Sequence, residues 1–252
     1  MIHKVIQRKA EIFPIVANWF NSQRQVSTKL LTQLTPGAII NNQAKVSCIK
    51  RLKCINQNDK TEESSNKAAV LVPLCIHNGK LGLLYTLRSH KVSMNRGQVS
   101  FPGGMKDSND ASLEDTALRE TWEELQISKD IIDVWGTANL IKRKHVTVLP
   151  VLGYIGEIDP KSLQINKNEV EEAFVQPLEK LCDPKLCRYT SFKNSYVLPL
   201  YLGANYKIWG LTAVITHIVM NALVPDVYKN KLPLMQFVDD TKASSTTTIK
   251  IS

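Results

Sequence analysis

The order of hydrophobic and polar positions along this 252-residue chain separates strands from helices. Residues 68–76 form a continuous apolar run that is rich in β-branched side chains. Asn78 and Gly79 follow as a turn, and a second apolar run then occupies residues 81–87. Two such runs joined by a short Asn-Gly connection predict a β-hairpin.

Weaker patterns extend this assignment along the rest of the chain. They predict strands at residues 134–140 and 146–155, helices at 169–182 and 212–223, and extended segments at 196–202 and 206–208. Strands interspersed with a few helices indicate an α+β domain with a mixed sheet.

The most strongly patterned helix is predicted to begin after Ser112. Ser112 and Asp115 have the spacing of a capping box, which marks a helix start. Leu118, Trp122 and Leu125 then recur at the spacing of one helix face. We therefore predict that these three apolar residues face the core and that the acidic residues between them lie on the open side.

Three carboxylates converge on that open side. Glu120 and Glu124 are four residues apart, and Glu123 lies next to the stripe between them. Like charges at this spacing cost a helix roughly 0.2–0.5 kcal/mol per pair, so a solvated face is one interpretation and a bound cation is another. Mg²⁺ takes oxygen ligands, and proteins usually hold it through one or two carboxylates together with the phosphates of a substrate. Because the preceding Gly103-Gly104 turn lets a ligand approach the backbone, we predict that these glutamates bind Mg²⁺ or Mn²⁺ at a phosphate site.

The same residues resemble the sequence box of the Nudix hydrolases. Gly104, the pair Arg119-Glu120 and the pair Glu123-Glu124 occupy the positions of the glycine, the Arg-Glu and the Glu-Glu of that box. The resemblance implies an α/β/α sandwich with a mixed sheet. It also implies a hydrolase that uses a divalent metal to cleave phosphoanhydrides.

Three departures from the box concern its loop and its end. The spacing from Gly104 to Arg119 is one residue longer than usual, and either Asp107 or Asp110 stands where the first glutamate would be. Gln126 replaces the closing glycine. In the family that first glutamate pairs with the arginine, so these departures bear on how the loop steadies the helix.

The segment before the box, residues 83–104, is similar to that of the coenzyme A diphosphatases within this family, of the mitochondrial rather than the peroxisomal type. The similarity extends over residues 68–224. It implies hydrolysis of coenzyme A or acyl-CoA to 3′,5′-ADP and phosphopantetheine or its acyl form. The basic side chains and glycines of the segment are the implied substrate-binding residues: Arg88, Lys91, Arg96, Gly103 and Gly104. Two alternatives remain, a Nudix hydrolase of another diphosphate such as ADP-ribose, and an inactive nucleotide- or RNA-binding module.

Catalytic roles are implied for Glu120, Glu124 and Arg119. Glu120 is a candidate base, because one carboxylate can orient an attacking water. Arg119 is expected to orient a catalytic glutamate, since a guanidinium makes rigid bidentate contacts with carboxylates. The sequence supports three acidic residues further along the chain equally well as the base: Glu169, Glu171 and Glu172.

The net charge of +9 is concentrated near the N-terminus. Residues 1–58 carry nine Lys or Arg and a single acid, Glu11, which leaves the rest of the chain almost neutral. Such composition resembles a mitochondrial transit sequence, with an amphipathic helix at residues 12–20. A basic arm that contacts nucleic acid or anionic lipid is the alternative. The last three residues do not form a peroxisomal Ser-Lys-Leu address, which also favours the mitochondrion.

We divide the chain into three parts. Residues 1–66 are a basic segment and linker, 67–238 the Nudix domain and 239–252 a disordered tail. No apolar run reaches membrane-spanning length. The five cysteines form no C-x-x-C pair, so neither a zinc site nor a disulfide framework is indicated. We expect a small-molecule substrate, no nucleic-acid partner, and a monomer or homodimer.

Overall fold

A mixed eight-stranded sheet organises the protein. The computed structural model describes residues 32–54, 66–143, 145–191 and 197–230. The strands are β1 (Lys67–His77), β2 (Lys80–Arg88), β3 (Val99–Ser100), β4 (Gly103–Met105), β5 (Asp133–Thr137), β6 (Ile141–Arg143), β7 (Val146–Glu157), β8 (Val170–Pro177), β9 (Cys187–Ser191) and β10 (Val197–Tyr201). The helices are α1 (Pro36–Ile39), α2 (Asn42–Cys54), α3 (Leu113–Leu125), α4 (Leu178–Cys182) and α5 (Gly210–Leu223).

Strand β1 lies at the centre of the sheet. It pairs in parallel with β7 and antiparallel with β2 and β4. Strand β2 pairs antiparallel with β3 and β8, and β7 pairs antiparallel with β5 and β6. Strands β9 and β10 form a separate hairpin. The predicted hairpin of β1 and β2 is confirmed, and the continuous apolar runs reflect burial on both faces of the sheet.

The sheet separates two cores. On one face, Ala117 and Leu125 of α3 pack with Leu71 and Leu84 of the sheet. On the other face, α2 and α5 pack against side chains that include Tyr85. Two helical layers around one sheet make an α/β/α sandwich, so the predicted fold class is confirmed. No helix of the described ranges is both long and apolar enough to cross a bilayer.

The prediction of a helix at residues 169–182 was wrong over most of its length. Residues Val170–Pro177 form strand β8, and only Leu178–Cys182 is helical. Strand β8 pairs with β2 from Gly82 to Arg88, with a register shift next to Leu87. Pairing with a distant strand overrides the local helical preference of this acidic segment.

Helices α1 and α2 fall inside the segment that the sequence assigned to a basic arm and linker. Cys48 and Leu52 of α2 are buried in the core. The Arg51 Nε donates to the Ala222 carbonyl at the end of α5, 2.6 Å away, where a cation also meets the negative end of the helix dipole. Residues 36–54 are therefore part of the folded unit. The expected helix at residues 12–20 and the tail at 239–252 lie outside the described residues.

Helix α3 packs through small residues rather than through the predicted apolar stripe. Leu125 is buried as expected, but Trp122 is 47% exposed. The buried positions instead include Ala117, Thr121 and Glu124. Small side chains allow α3 to approach the sheet closely. The helix is consequently rotated so that Glu124, which was expected on the open side, points inward.

Gln126, which stands in place of the closing glycine, ends α3 in a left-handed conformation with φ 56° and ψ 32°. Its side-chain Nε2 donates to the Trp122 carbonyl, 3.1 Å away. A residue with a Cβ is strained in this conformation, whereas glycine adopts it freely.

Gln126→Gly is therefore expected to be more stable than Gln126→Ala by about 1 kcal/mol. Both variants remove the same side-chain hydrogen bond, so their difference reports the backbone conformation. Urea denaturation of the two variants measures it, and equal free energies of unfolding would contradict a strained helix end.

Candidate active site

Three carboxylates meet above the sheet. Glu120 and Glu124 come from α3, and Glu169 comes from the turn that precedes β8. One oxygen of each lies within 4.8 Å of the others. Carboxylate oxygens are the ligands that hard divalent cations prefer, so this group fits a cation such as Mg²⁺ or Mn²⁺.

The Glu124 carboxylate is buried, and one of its oxygens is not hydrogen-bonded. The residue is 2% exposed, and its Oε2 has no hydrogen-bond partner. Burial raises the pKa of this carboxyl to about 8, although Arg88 and the Gly103 amide act in the opposite direction. Burying a carboxylate oxygen without a partner is costly, and a cation at this position would reduce the cost.

Glu120 is held in place between a glycine and an arginine. Burial raises the pKa of its carboxyl, while the neighbouring Arg119 opposes that rise. A Cβ on Gly104 would overlap the Glu120 carboxylate. Gly103 has φ 154°, and a Cβ there would overlap the Ala69 carbonyl of β1. The two glycines therefore have different purposes, since Gly104 leaves room for a carboxylate and Gly103 allows close strand pairing.

Arg119 connects the box loop to the carboxylates. Its Nε and Nη2 donate to the two carboxylate oxygens of Asp110, at 2.9 and 3.0 Å. Its Nη1 donates to Glu120 Oε1 at 3.0 Å and to Glu123 Oε2 at 3.1 Å. The bidentate pair with Asp110 fixes the guanidinium plane, and in this position Nη1 reaches the Glu120 carboxylate.

Asp110, rather than Asp107, takes the place of the missing box glutamate. The Asp110 side chain is buried, and its Oδ2 also accepts from the Thr116 hydroxyl and the Asp107 amide, both at 2.8 Å. The hydrogen bonds from Arg119 hold the pKa of this carboxyl well below its ordinary value. Asp107 caps the turn instead, with its Oδ1 accepting from the Asn109 amide at 3.0 Å.

The acidic group differs from the predicted ligand set by one member. The Glu123 side chain is 47% exposed and pairs with Arg119, outside the group of three. Glu169 takes the third place, although the sequence offered it only as one of several candidate bases. Glu171 and Glu172 also lie outside the group, and Glu172 instead accepts from the Tyr206 hydroxyl at 2.6 Å.

The basic residues before the box have different partners. Arg88 ends β2, and its charge lowers the pKa of Glu124. The Lys91 Nζ donates to Asn168 Oδ1 at 3.4 Å, next to Glu169 in sequence. The Arg96 Nε donates to the Val92 carbonyl within its own loop at 2.5 Å. Of the three, Arg88 has the clearest electrostatic link to the group.

Comparison with known proteins finds similarity over the residues that form this group. The family model described as NUDIX domain matches residues 65–197, which include all three grouped carboxylates. The chain is 43% identical over 171 residues to the mitochondrial coenzyme A diphosphatase NUDT8 of Mus musculus, covering 66% of this chain and 81% of that protein. The same identity holds for NUDT8 of Homo sapiens, of which 72% is covered. Identity to the peroxisomal coenzyme A diphosphatase NUDT7 of Mus musculus is 33%, over 62% of this chain and 70% of that protein.

The two glycines of β4 are expected to respond differently to alanine. Gly104→Ala displaces the flexible end of Glu120 and should weaken Mn²⁺ binding by about tenfold or more while leaving stability within about 1 kcal/mol. Gly103→Ala meets the backbone of β1 and should destabilise the fold by about 2 kcal/mol or more. Denaturation and Mn²⁺ titration of both variants test this. Loss of folding in Gly104→Ala alone would contradict the assignment.

Burial of Glu124 predicts a pH dependence of stability in the metal-free protein. Because its pKa of about 8 in the folded state exceeds the ordinary 4.5, the folded state binds the proton more tightly than the unfolded chain. This contribution is fully present below about pH 4.5 and is lost as the pH rises through about 8. Between these values the group lowers the free energy of unfolding by roughly 1.4 kcal/mol per pH unit.

Glu124→Gln should lack this contribution, because glutamine does not titrate. Urea denaturation in the presence of a chelator, repeated across that pH range, gives the slope for each protein. A slope in the variant equal to that of the wild type would show that Glu124 is not the titrating group.

Proposed function

The chain belongs to the Nudix hydrolases, which act on phosphorus-containing anhydrides, and we propose that its substrate is coenzyme A or acyl-CoA. The products would be 3′,5′-ADP and phosphopantetheine or its acyl form. The observation that carries a hydrolytic site is the group of Glu120, Glu124 and Glu169 with an unpartnered oxygen on Glu124. The choice of coenzyme A is supported by the similarity to proteins named coenzyme A diphosphatase and by the segment before the box.

The cofactor in this proposal is Mg²⁺ or Mn²⁺. Glu120, Glu124 and Glu169 would hold it, and Glu123 is instead paired with Arg119. When bound, a divalent cation neutralises phosphate oxygens and so stabilises the charge that accumulates during hydrolysis. The donor set fits such an ion because all its members are oxygens and one of them is buried without a partner.

Hydrolysis requires a water to attack one phosphorus atom of the diphosphate. The bond from that phosphorus to the bridging oxygen breaks, and the proton of the water passes to a base. Glu120 and Glu169 are the proposed bases, since both carboxylates belong to the group. Burial raises the pKa of Glu120 and thereby its affinity for the proton, and Arg119 keeps its carboxylate oriented.

The basic residues of the preceding segment supply the phosphate contacts in this proposal. Arg88 lies close enough to Glu124 to affect its pKa, so it would meet the diphosphate itself. Lys91 and Arg96 lie in the following loop, where they would contact a more distant phosphate of the substrate. A guanidinium binds phosphate through two parallel hydrogen bonds, whereas a lysine acts as a point charge.

A mitochondrial location is part of the proposal. It rests on the basic composition of residues 1–58 and on the similarity to NUDT8, which is named as a mitochondrial protein. A fluorescent fusion of the full chain that remained in the cytosol would contradict this location without affecting the proposed reaction.

The reaction is tested by the release of phosphopantetheine from coenzyme A with Mg²⁺ or Mn²⁺. Turnover by the wild type is expected, and Glu124→Gln should reduce kcat/KM by about a hundredfold or more, because it removes one ligand charge while keeping the shape. Glu179→Gln is the matched control, since Glu179 pairs with Lys80 at the opposite end of β2 from Arg88. It should retain wild-type turnover.

Parallel assays with ADP-ribose distinguish the alternatives. Rapid turnover of ADP-ribose by a protein that leaves coenzyme A intact would establish another diphosphate as the substrate. Absence of turnover for both, together with salt-sensitive RNA binding by the full chain, would favour the non-catalytic binding module.

A further inference from the structure

Asn166 lies between the two elements that supply the carboxylate group. It belongs to the turn that follows the short 3₁₀ helix Pro160–Ser162 and precedes β8. Helix α3, which carries Glu120 and Glu124, ends beside this turn. Glu169 follows Asn166 by three residues in the sequence. The motifs that identify the site do not include Asn166.

Asn166 is bonded to both sources of carboxylates. Its backbone amide donates to the Glu124 carbonyl at 2.9 Å, in the last turn of α3. Its side-chain Nδ2 donates to Glu169 Oε1 at 3.1 Å. One residue thus connects the end of the helix to the carboxylate that comes from outside the helix.

The side-chain amide of Asn166 has only one useful orientation. Its Oδ1 accepts from the Asn168 amide at 3.1 Å, which closes an Asx turn. Its backbone carbonyl accepts from the amides of Glu169 and Val170, at 2.9 and 2.8 Å. Since the oxygen is occupied by Asn168, the amino group must face Glu169, where it can only donate.

We propose that Asn166 is a positioning residue that directs the Glu169 carboxylate toward Glu120 and Glu124. This inference rests on the metal centre of the proposed function. Three carboxylates within 4.8 Å repel one another, and a half-buried Glu169 without a donor would turn toward solvent. An amide donor holds it and leaves its negative charge available to the cation, whereas a lysine or arginine would neutralise that charge.

The test measures Mn²⁺ affinity, which does not depend on the identity of the substrate. Asn166→Ala and Asn166→Ser are each made in the wild-type chain and in Glu169→Ala. Serine can still close the turn through its hydroxyl but is too short to reach Glu169, so it separates turn formation from the side-chain bond. Gln164→Ala, an exposed amide residue in the same turn, is the control and should bind Mn²⁺ as the wild type does.

With Glu169 present, both substitutions should weaken Mn²⁺ binding by about tenfold to a hundredfold, the usual effect of losing a residue that orients a ligand. With Glu169→Ala, they should change Mn²⁺ affinity by less than about twofold, because Asn166 then has no carboxylate to direct. Thermal unfolding of each variant accompanies the titrations.

Equal weakening in both backgrounds, or none in the wild-type background, would overturn the positioning role. A wild type that bound no Mn²⁺ would overturn both this role and the proposed metal centre. Supporting titrations in a protein that does not hydrolyse coenzyme A would establish the positioning role and reject only the proposed substrate.

Discussion

The site depends on the close approach of helix α3 to strand β4, which contains Gly103 and Gly104. Ala117 and Thr121 present small side chains on the buried face of the helix, and Gly104 has no side chain to hold it away. This approach gives the Glu120 carboxylate its place and buries Glu124. A larger residue at Ala117 or Thr121 would move the helix away from the strand, whereas a Cβ at Gly104 would displace the Glu120 carboxylate.

The negative charge of the buried acidic group is not neutralised by Arg119. The Nε and Nη2 of Arg119 donate to Asp110, Nη2 also donates to the Met105 carbonyl, and Nη1 is shared between Glu120 and Glu123. The group therefore keeps an excess of negative charge, which raises the cost of burial and makes the site attractive to a divalent cation. Burial raises the pKa of Glu124 by more than the charge of the Arg88 guanidinium lowers it.

The departures from the family's box are accommodated by local geometry. The loop before the helix folds back through the Asp107–Asp110 turn. Asp110, whose side chain is shorter than that of the usual glutamate, therefore reaches both Nε and Nη2 of Arg119. Gln126 adopts the left-handed conformation that a glycine would take without strain. The loop and the helix end thus keep the arrangement in which the arginine is held by an acid and the helix stops after the last glutamate.

Local signals in the sequence were sufficient for the hairpin, for the start of α3 at Ser112 and for the placement of Glu120 and Glu124 on one helix. Each depends on residues a few positions apart, where turn chemistry and helical spacing act directly. Other features depend on contacts between distant segments. Strand β8, the rotation of α3 that exposes Trp122, and the packing of α2 are examples. Glu169 joined the group for the same reason, because the pairing of β8 with β2 and the bonds of Asn166 decide where that turn lies. The sequence by itself determined which chemistry the chain carries, and the tertiary structure decided which carboxylates share one site, since distances across a sheet are set by register and not by spacing along the chain.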